Sequence, residues 1–344
     1  MLYPTPVSSP VKTQPPQTAP VATPAQMHPA LAFIRDELAL VENTLKATAG
    51  IDHPWLGDVL QFALGTGGKR LRPAVAILSS KFHPTELEKV VALAAAIEIL
   101  HTATLVHDDV IDQSFVRRGK PTLNTVAGTA ATILCGDYLF ARAAELAAST
   151  ENTQVVSIFG RTLMTLCAGE IRQTLGNASE PNLENYYKRI YGKTASLFEA
   201  SAEAAAVLSG ASVNEIEALQ QYGYHLGMAF QIIDDVLDFT GDEKSLGKPA
   251  GADLRSGLAT LPVLCYLELE PADPIIHAIL EGERSNGLVD RAVKAIRHSS
   301  AISASIAQAG DFASRAKSAL ADLPANTYRQ ALADLADYVV ERTM

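Results

Sequence analysis

The chain holds 344 residues, 48% of them hydrophobic and 19% charged, with a formal net charge of −10. That is ample for one large core. The acid excess argues against a nucleic-acid partner, which needs a basic face, but leaves anionic small substrates open because bound metals invert local electrostatics.

Residues 1–30 interleave Pro4, Pro6, Pro10, Pro15, Pro16, Pro20, Pro24 and Pro29 with Ser, Thr, Gln and Ala. Such a segment buries too little surface to offset its ordering entropy and is expected to be a disordered tail. It has no basic start followed by an apolar run, so it is not a secretory signal, and it contains no arginine of the transit-peptide kind.

Residues 31–344 read as one all-α domain, an antiparallel helical bundle around a central cavity, because long Ala-, Leu-, Glu- and Ile-rich stretches lack strand-like alternation. Helices are expected over 87–107, 127–148, 153–175, 183–209, 213–239, 289–297 and 313–342. Breaks are expected at 65–68, 119–121, 176–181, 209–210 and 241–257. The two most apolar stretches, 90–106 and 127–148, carry Glu98 and His101, or Asp137 and Arg142, which marks them as buried helices rather than transmembrane segments. Cys135, Cys167 and Cys265 lie in apolar stretches without metal-type spacing, which suits buried thiols in a reducing, cytoplasmic setting.

Gly67-Gly68-Lys69-Arg70-Leu71-Arg72-Pro73 sets cations beside a turn that allows close backbone approach, although a basic surface loop reads the same way. The dominant feature is a repeated D-D-x-x-D pattern, Asp108-Asp109-Val110-Ile111-Asp112 and Asp234-Asp235-Val236-Leu237-Asp238. On a helix, Asp108 and Asp112 share one face, as do Asp234 and Asp238, and like charges at that spacing repel. A single such motif is most often a solvated acidic face. Here both copies are embedded in apolar sequence and followed by cations: Arg117-Arg118 after the first, Lys244 and Lys248 after the second. Two such faces opposed across a hollow would form a cage for Mg²⁺, which binds through a few carboxylates and substrate phosphates. Gly192-Lys193-Thr194 is not a Walker motif, since the upstream glycine and strand context are missing.

From about residue 31 to the C-terminus, the chain resembles the trans-isoprenyl diphosphate synthases, or polyprenyl synthetases. The resemblance rests on GGKRLRP (67–73), HTATLVHDDVIDQSFVRRGKPT (101–122), GDYLFARA (136–143), GKTASLF (192–198) and FQIIDDVLDFTGDEKSLGKPAGADL (230–254), in the family's order and spacing. It implies an all-α homodimer that condenses an allylic diphosphate with isopentenyl diphosphate in a Mg²⁺-dependent reaction. Lys69, Arg72, His101 and Arg118 would hold isopentenyl diphosphate. Asp108 and Asp112 would bind a pair of Mg²⁺ and Asp234 a third, with Asp109 and Asp238 in support. Arg117, Lys193, Thr194, Gln231 and Lys248 would grip the allylic diphosphate, and Asp235 completes the catalytic set.

In the family, side-chain size beneath the first aspartate motif sets product length. Ala103 and Thr104 stand there, so the resemblance implies a long product of the quinone side-chain kind, released through transient membrane contact; whether Leu100 and Ile97 form a floor stays open. Phe198, Phe230 and Phe239 are candidate wall residues as well as plain packing residues. Leu258 departs from the lysine that many relatives carry before Thr260-Leu261-Pro262. Three rival readings compete. A prenyl diphosphate cyclase needs no acceptor site, and a non-catalytic subunit of a two-component synthase typically loses aspartates. The third is a synthase of farnesyl or geranylgeranyl length.

Overall fold

A computed structural model describes residues 29–65, 68–117, 119–175, 181–241 and 249–342. Residues 1–28 of the expected tail, Gly67, Arg118, Lys244 and Lys248 lie outside them. A 3₁₀ turn (Pro29–Ile34) leads into α1 (Arg35–Thr48), α2 (Pro54–Leu64), α3 (Leu71–Ser80) and α4 (Leu87–Ile111). A small hairpin, β1 (Val116–Arg117) with β2 (Lys120–Pro121), precedes α5 (Leu123–Ala127), α6 (Thr129–Ala148) and α7 (Thr153–Leu175). Next come α8 (Leu183–Ile190), a π-helical turn (Tyr191–Ala195), α9 (Ser196–Leu208) and α10 (Val213–Thr240). The chain closes with α11 (Ala252–Arg255), α12 (Leu261–Leu269), α13 (Pro274–Leu280), α14 (Asn286–His298), α15 (Ala301–Ala319) and α16 (Thr327–Glu341).

The all-α expectation holds, with four local corrections. The hairpin turns at Gly119, whose φ of +73° suits glycine; two-residue strands are too short to leave an alternation signal. Gly128, at φ +81°, parts α5 from α6 where the sequence pattern predicts one helix from 127. The stretch 313–342 is divided into the end of α15 and all of α16, because Pro324 cannot continue a helix. The stretch 183–209 is interrupted by the π turn, a feature that hydrophobic periodicity does not encode.

Helix α4 is apolar around most of its circumference and is therefore central. By length and composition it could cross a membrane, but 72% of its most apolar window is buried inside the fold. It packs along α6 and against α1, α3 and α9, while α10 packs along α9 and α15. A smaller second cluster gathers Phe239, Leu254, Val263, Ile276, Val289 and Ile296 around the C-terminal elements.

The α9–α10 crossing depends on missing side chains. A Cβ on Gly223 would lie 2.5 Å from the Phe198 carbonyl oxygen, and one on Gly227 2.5 Å from the Ala195 Cα. The two backbones therefore meet directly, bringing the π turn against the helix that carries the second acidic motif. Gly223→Val should force this crossing apart and cost about 1–3 kcal/mol, read as a lower midpoint of denaturant unfolding. Gly310→Ala on α15, where an added Cβ meets nothing within 4 Å, should leave the midpoint unchanged or raise it.

Candidate active site

Both acidic motifs sit at the C-terminal ends of buried helices. Asp108 and Asp109 fall in the last turn of α4 with Asp112 as its C-cap; Asp234, Asp235 and Asp238 fall in the last two turns of α10. A helix C-terminus carries negative partial charge, so carboxylates there add repulsion to repulsion.

In the first motif, burial pushes the Asp108 carboxyl up to about 6, with Lys193 opposing the shift and Glu170 and Asp112 adding to it. The Lys193 ammonium stands 3.9 Å from Asp108 Oδ2 and 3.4 Å from Glu170 Oε2, tying α7 to α4. Asp109 is buried, which raises its carboxyl, and Arg117 on the hairpin opposes this by donating to Asp109 Oδ1 at 2.8 Å. The hairpin is folded back into place by Thr122, whose hydroxyl donates to the Ser114 carbonyl at 2.7 Å. Asp112 is exposed.

In the second motif each acid has a different partner. Asp234 meets Arg342 at 3.2 Å; burial raises its carboxyl, against the charges of Arg342, Arg72 and Lys69. Asp235 is buried and accepts from the Tyr186 hydroxyl at 2.7 Å and the Gln231 amide at 2.8 Å. Burial first, and then the nearby Asp253, raise its carboxyl. Asp238 is also buried, and its Oδ2 accepts from the Asp253 backbone N–H at 3.2 Å, so it caps the α11 turn as well as belonging to the motif. Leu258 is anchored to the same turn through its N–H to the Asp253 carbonyl.

The π turn joins the two motifs. Gly192 lies against Gly169 of α7, with a built Cβ 3.1 Å from the Gly169 Cα, and Ala195 lies against Gly227 of α10. Pinned on both sides, the turn sends consecutive residues to opposite clusters. Lys193 goes to Asp108, while the Thr194 hydroxyl donates to Gln231 Oε1 at 2.6 Å, and Gln231 in turn holds Asp235.

The basic residues gather next to Asp234. Arg72 stacks on Phe198 at 4.5 Å from the ring centroid, Arg342 on Phe230 at 4.2 Å, and Lys69 lies 5.3 Å over Tyr338. Phe198 and Phe230 thus serve as platforms for cations, whereas Phe239 is fully buried in the second cluster and is packing rather than wall. His101 is half-buried on α4, and its carbonyl accepts from Thr104. Ala103 is fully buried. Thr104, Leu100 and Ile97 run down the helix face below Asp108. Arg118 and Lys248 fall outside the described residues.

Sequence reasoning missed Glu170, Tyr186 and Arg342. None lies in a motif; Arg342 reaches the site only because α16 brings the chain's end beside α3 and α10.

Among the described residues, no three His, Cys, Asp or Glu side chains come close enough to hold a metal by themselves. The donor chemistry nonetheless suits a hard cation: oxygen-only ligands, burial that disfavours their charge, and Lys193 and Arg342 already placed at the leading aspartates. Such an ion would take one or two carboxylates from a cluster and complete its shell from phosphate or water.

Residues 53–296 match the family model described as polyprenyl synthetase. The heptaprenyl diphosphate synthase component 2 of Geobacillus stearothermophilus is 38% identical over 312 residues, covering 90% of this chain and 97% of that protein. The octaprenyl diphosphate synthase of Escherichia coli (strain K12) is 38% identical over 311 residues, covering 89% and 96%. Among solved structures, the polyprenyl synthase from Caulobacter crescentus CB15, complexed with calcium and isoprenyl diphosphate, matches with a TM-score of 0.84 at 38% identity, over 92% of this chain and 97% of that one.

The raised Asp108 carboxyl has a stability signature. Its folded value of about 6 exceeds the unfolded 3.8, so the folded state holds the proton more tightly. Stability should fall as pH rises through that window, and the full cost is present above it. In metal-free buffer Asp108→Asn should therefore be more stable than wild type near neutrality, by up to about 3 kcal/mol. The gap should close below pH 3.8, as read by denaturant titration at several pH values.

Proposed function

The chain belongs to the polyprenyl synthetase family of prenyltransferases, and from that premise we propose that it joins isopentenyl diphosphate head-to-tail to an allylic diphosphate. The product in this reading is a long all-trans polyprenyl diphosphate of the quinone side-chain kind. One observation carries the proposal. The π turn sends Lys193 to one acidic motif and Thr194 toward the other, which supports reading the two motifs as parts of one site.

Mg²⁺, three ions in this reading, would be held by Asp108, Asp112 and Asp234, with Asp109 and Asp238 in support, and when bound supplies positive charge to the departing diphosphate. Arg117, Lys193, Thr194, Gln231 and Lys248 grip the allylic diphosphate and stabilise the negative charge that grows on it as the carbon–oxygen bond breaks. Lys69, Arg72, His101 and Arg118 hold isopentenyl diphosphate. Stacking on Phe198 keeps the Arg72 guanidinium in a fixed plane, which lowers the ordering cost of binding. The allylic cation must meet the isopentenyl double bond before water does, so apolar surroundings protect it. No general base is required from the chain, since the released diphosphate can accept the proton lost in the final elimination.

The non-catalytic reading loses ground because all six aspartates are kept. The same reading includes a homodimer, and an exposed apolar face supports it: Ile133 and Leu134 on α6 are exposed, as are Val156, Met164, Cys167 and Ile171 along α7. A second copy of the chain would cover it. A cytoplasmic location is part of the same reading. Each added CH₂ of product buries about 0.8 kcal/mol of apolar surface, so a long product would leave through brief contact with a membrane.

Incubating the protein with Mg²⁺, labelled isopentenyl diphosphate and farnesyl or geranylgeranyl diphosphate should yield long polyprenols after dephosphorylation, and EDTA should abolish them. Failure to extend any primer would overturn the proposal. Ala103→Phe adds an aromatic ring about one turn before the first motif and should shorten the main product to farnesyl or geranylgeranyl length. An unshifted chain-length distribution, read by chromatography of the alcohols, would remove Ala103 and Thr104 from the product path.

A further inference from the structure

Tyr186 is among the largest fully buried side chains of the protein, yet its hydroxyl is committed to a motif aspartate. From it a chain of hydrogen bonds runs to the site. The Tyr186 hydroxyl donates to Asp235 Oδ2 at 2.7 Å, the Gln231 amide nitrogen donates to Asp235 Oδ1 at 2.8 Å, and Thr194 donates to Gln231 Oε1 at 2.6 Å. The Arg189 guanidinium lies over the Tyr186 ring, 5.3 Å from its centroid, donates to the Ala259 carbonyl at 2.7 Å, and its charge also acts on Asp235.

We propose that Tyr186 is a positioning residue for the allylic-diphosphate site, acting through Asp235 to fix which way the Gln231 amide faces. The inference rests on the function proposed above. An amide presents a donor on one side and an acceptor on the other, and its sense is set by its neighbours. A carboxylate held by Tyr186 turns the amide nitrogen toward Asp235 and leaves the second N–H of Gln231 to donate. Without the tyrosine hydroxyl, Asp235 Oδ2 is a buried acceptor missing a donor, which is costly. The carboxyl is then free to rotate, and the amide can turn its oxygen toward an anionic ligand. That loss falls on the allylic diphosphate. Isopentenyl diphosphate is assigned to Lys69 and Arg72, which lean on Tyr338 and Phe198 instead.

Tyr186→Phe keeps the ring and removes the hydroxyl. The KM for the allylic diphosphate should rise about tenfold, with the KM for isopentenyl diphosphate changed by less than about twofold. The Kd of an unreactive allylic thiolodiphosphate, measured by calorimetry with Mg²⁺, should rise by the same factor as the allylic KM. In an Asp235→Asn background, adding Tyr186→Phe should change the allylic KM by less than about twofold, because the two groups act in series. Equal rises in both KM values, a fall in kcat with neither KM changed, or additive effects of the two substitutions would each reduce Tyr186 to a packing residue. Should Tyr186→Phe not fold, Tyr186→His, which keeps a ring N–H donor, is read in the same way: an allylic KM nearer to wild type than the isopentenyl KM would overturn the assignment. A wild-type protein that elongates no primer would overturn the proposed function instead.

Discussion

Six carboxylates at the C-terminal ends of two buried helices are the constraint on which the rest of the structure depends. At those ends the helix dipole is already negative, the acids stand one turn apart, and burial raises Asp108, Asp109, Asp234 and Asp235. No packing argument favours such an arrangement. The fold tolerates it by bringing a cation or donor to each motif from a distant element: Lys193 from the π turn, Arg117 from the hairpin, Arg342 from the chain's end and Tyr186 from α8. Both motifs are thus held by the protein's own cations and hydrogen-bond donors.

The π turn links the two helix ends. Its irregular hydrogen bonding costs regularity in the middle of a long helical stretch, at a place where Gly169 and Gly227 allow two other helices to touch it. An unbroken helix would keep neighbouring residues about 100° apart around a straight axis. Here Lys193 and Thr194 serve opposite clusters. Irregular turns of this kind are frequent at functional positions, and this one overlaps one of the stretches that carry the family resemblance.

Much of the site is legible in the amino-acid sequence, since its chemistry is concentrated in short local motifs. Asp108, Asp112 and Asp234 announce themselves by a repeated spacing, and Lys69 and Arg72 as cations beside a glycine turn, whereas Lys193, Thr194 and Gln231 are reached only through the family resemblance. The long helices are legible for a related reason: periodicity predicts α7 over 153–175 and it forms over Thr153–Leu175, because a buried stripe has a period. Boundaries fail where the period is silent, at Gly128, at Pro324 and at the two-residue strands.

The order of residues dictates the inventory: an all-α chain, two sets of acids, the cations that follow them, and small residues below the first motif. Those depend on spacing along one helix, and spacing is local. The partnerships arise only in the tertiary structure. Tyr186 is forty-nine positions from Asp235 and Arg342 is farther still from Asp234, so no periodicity links them. Their pairing comes from helices crossing at glycine contacts and from the last helix returning to the first ones. Side chains far apart in the chain share a carboxylate only after the core has fixed where the helices end.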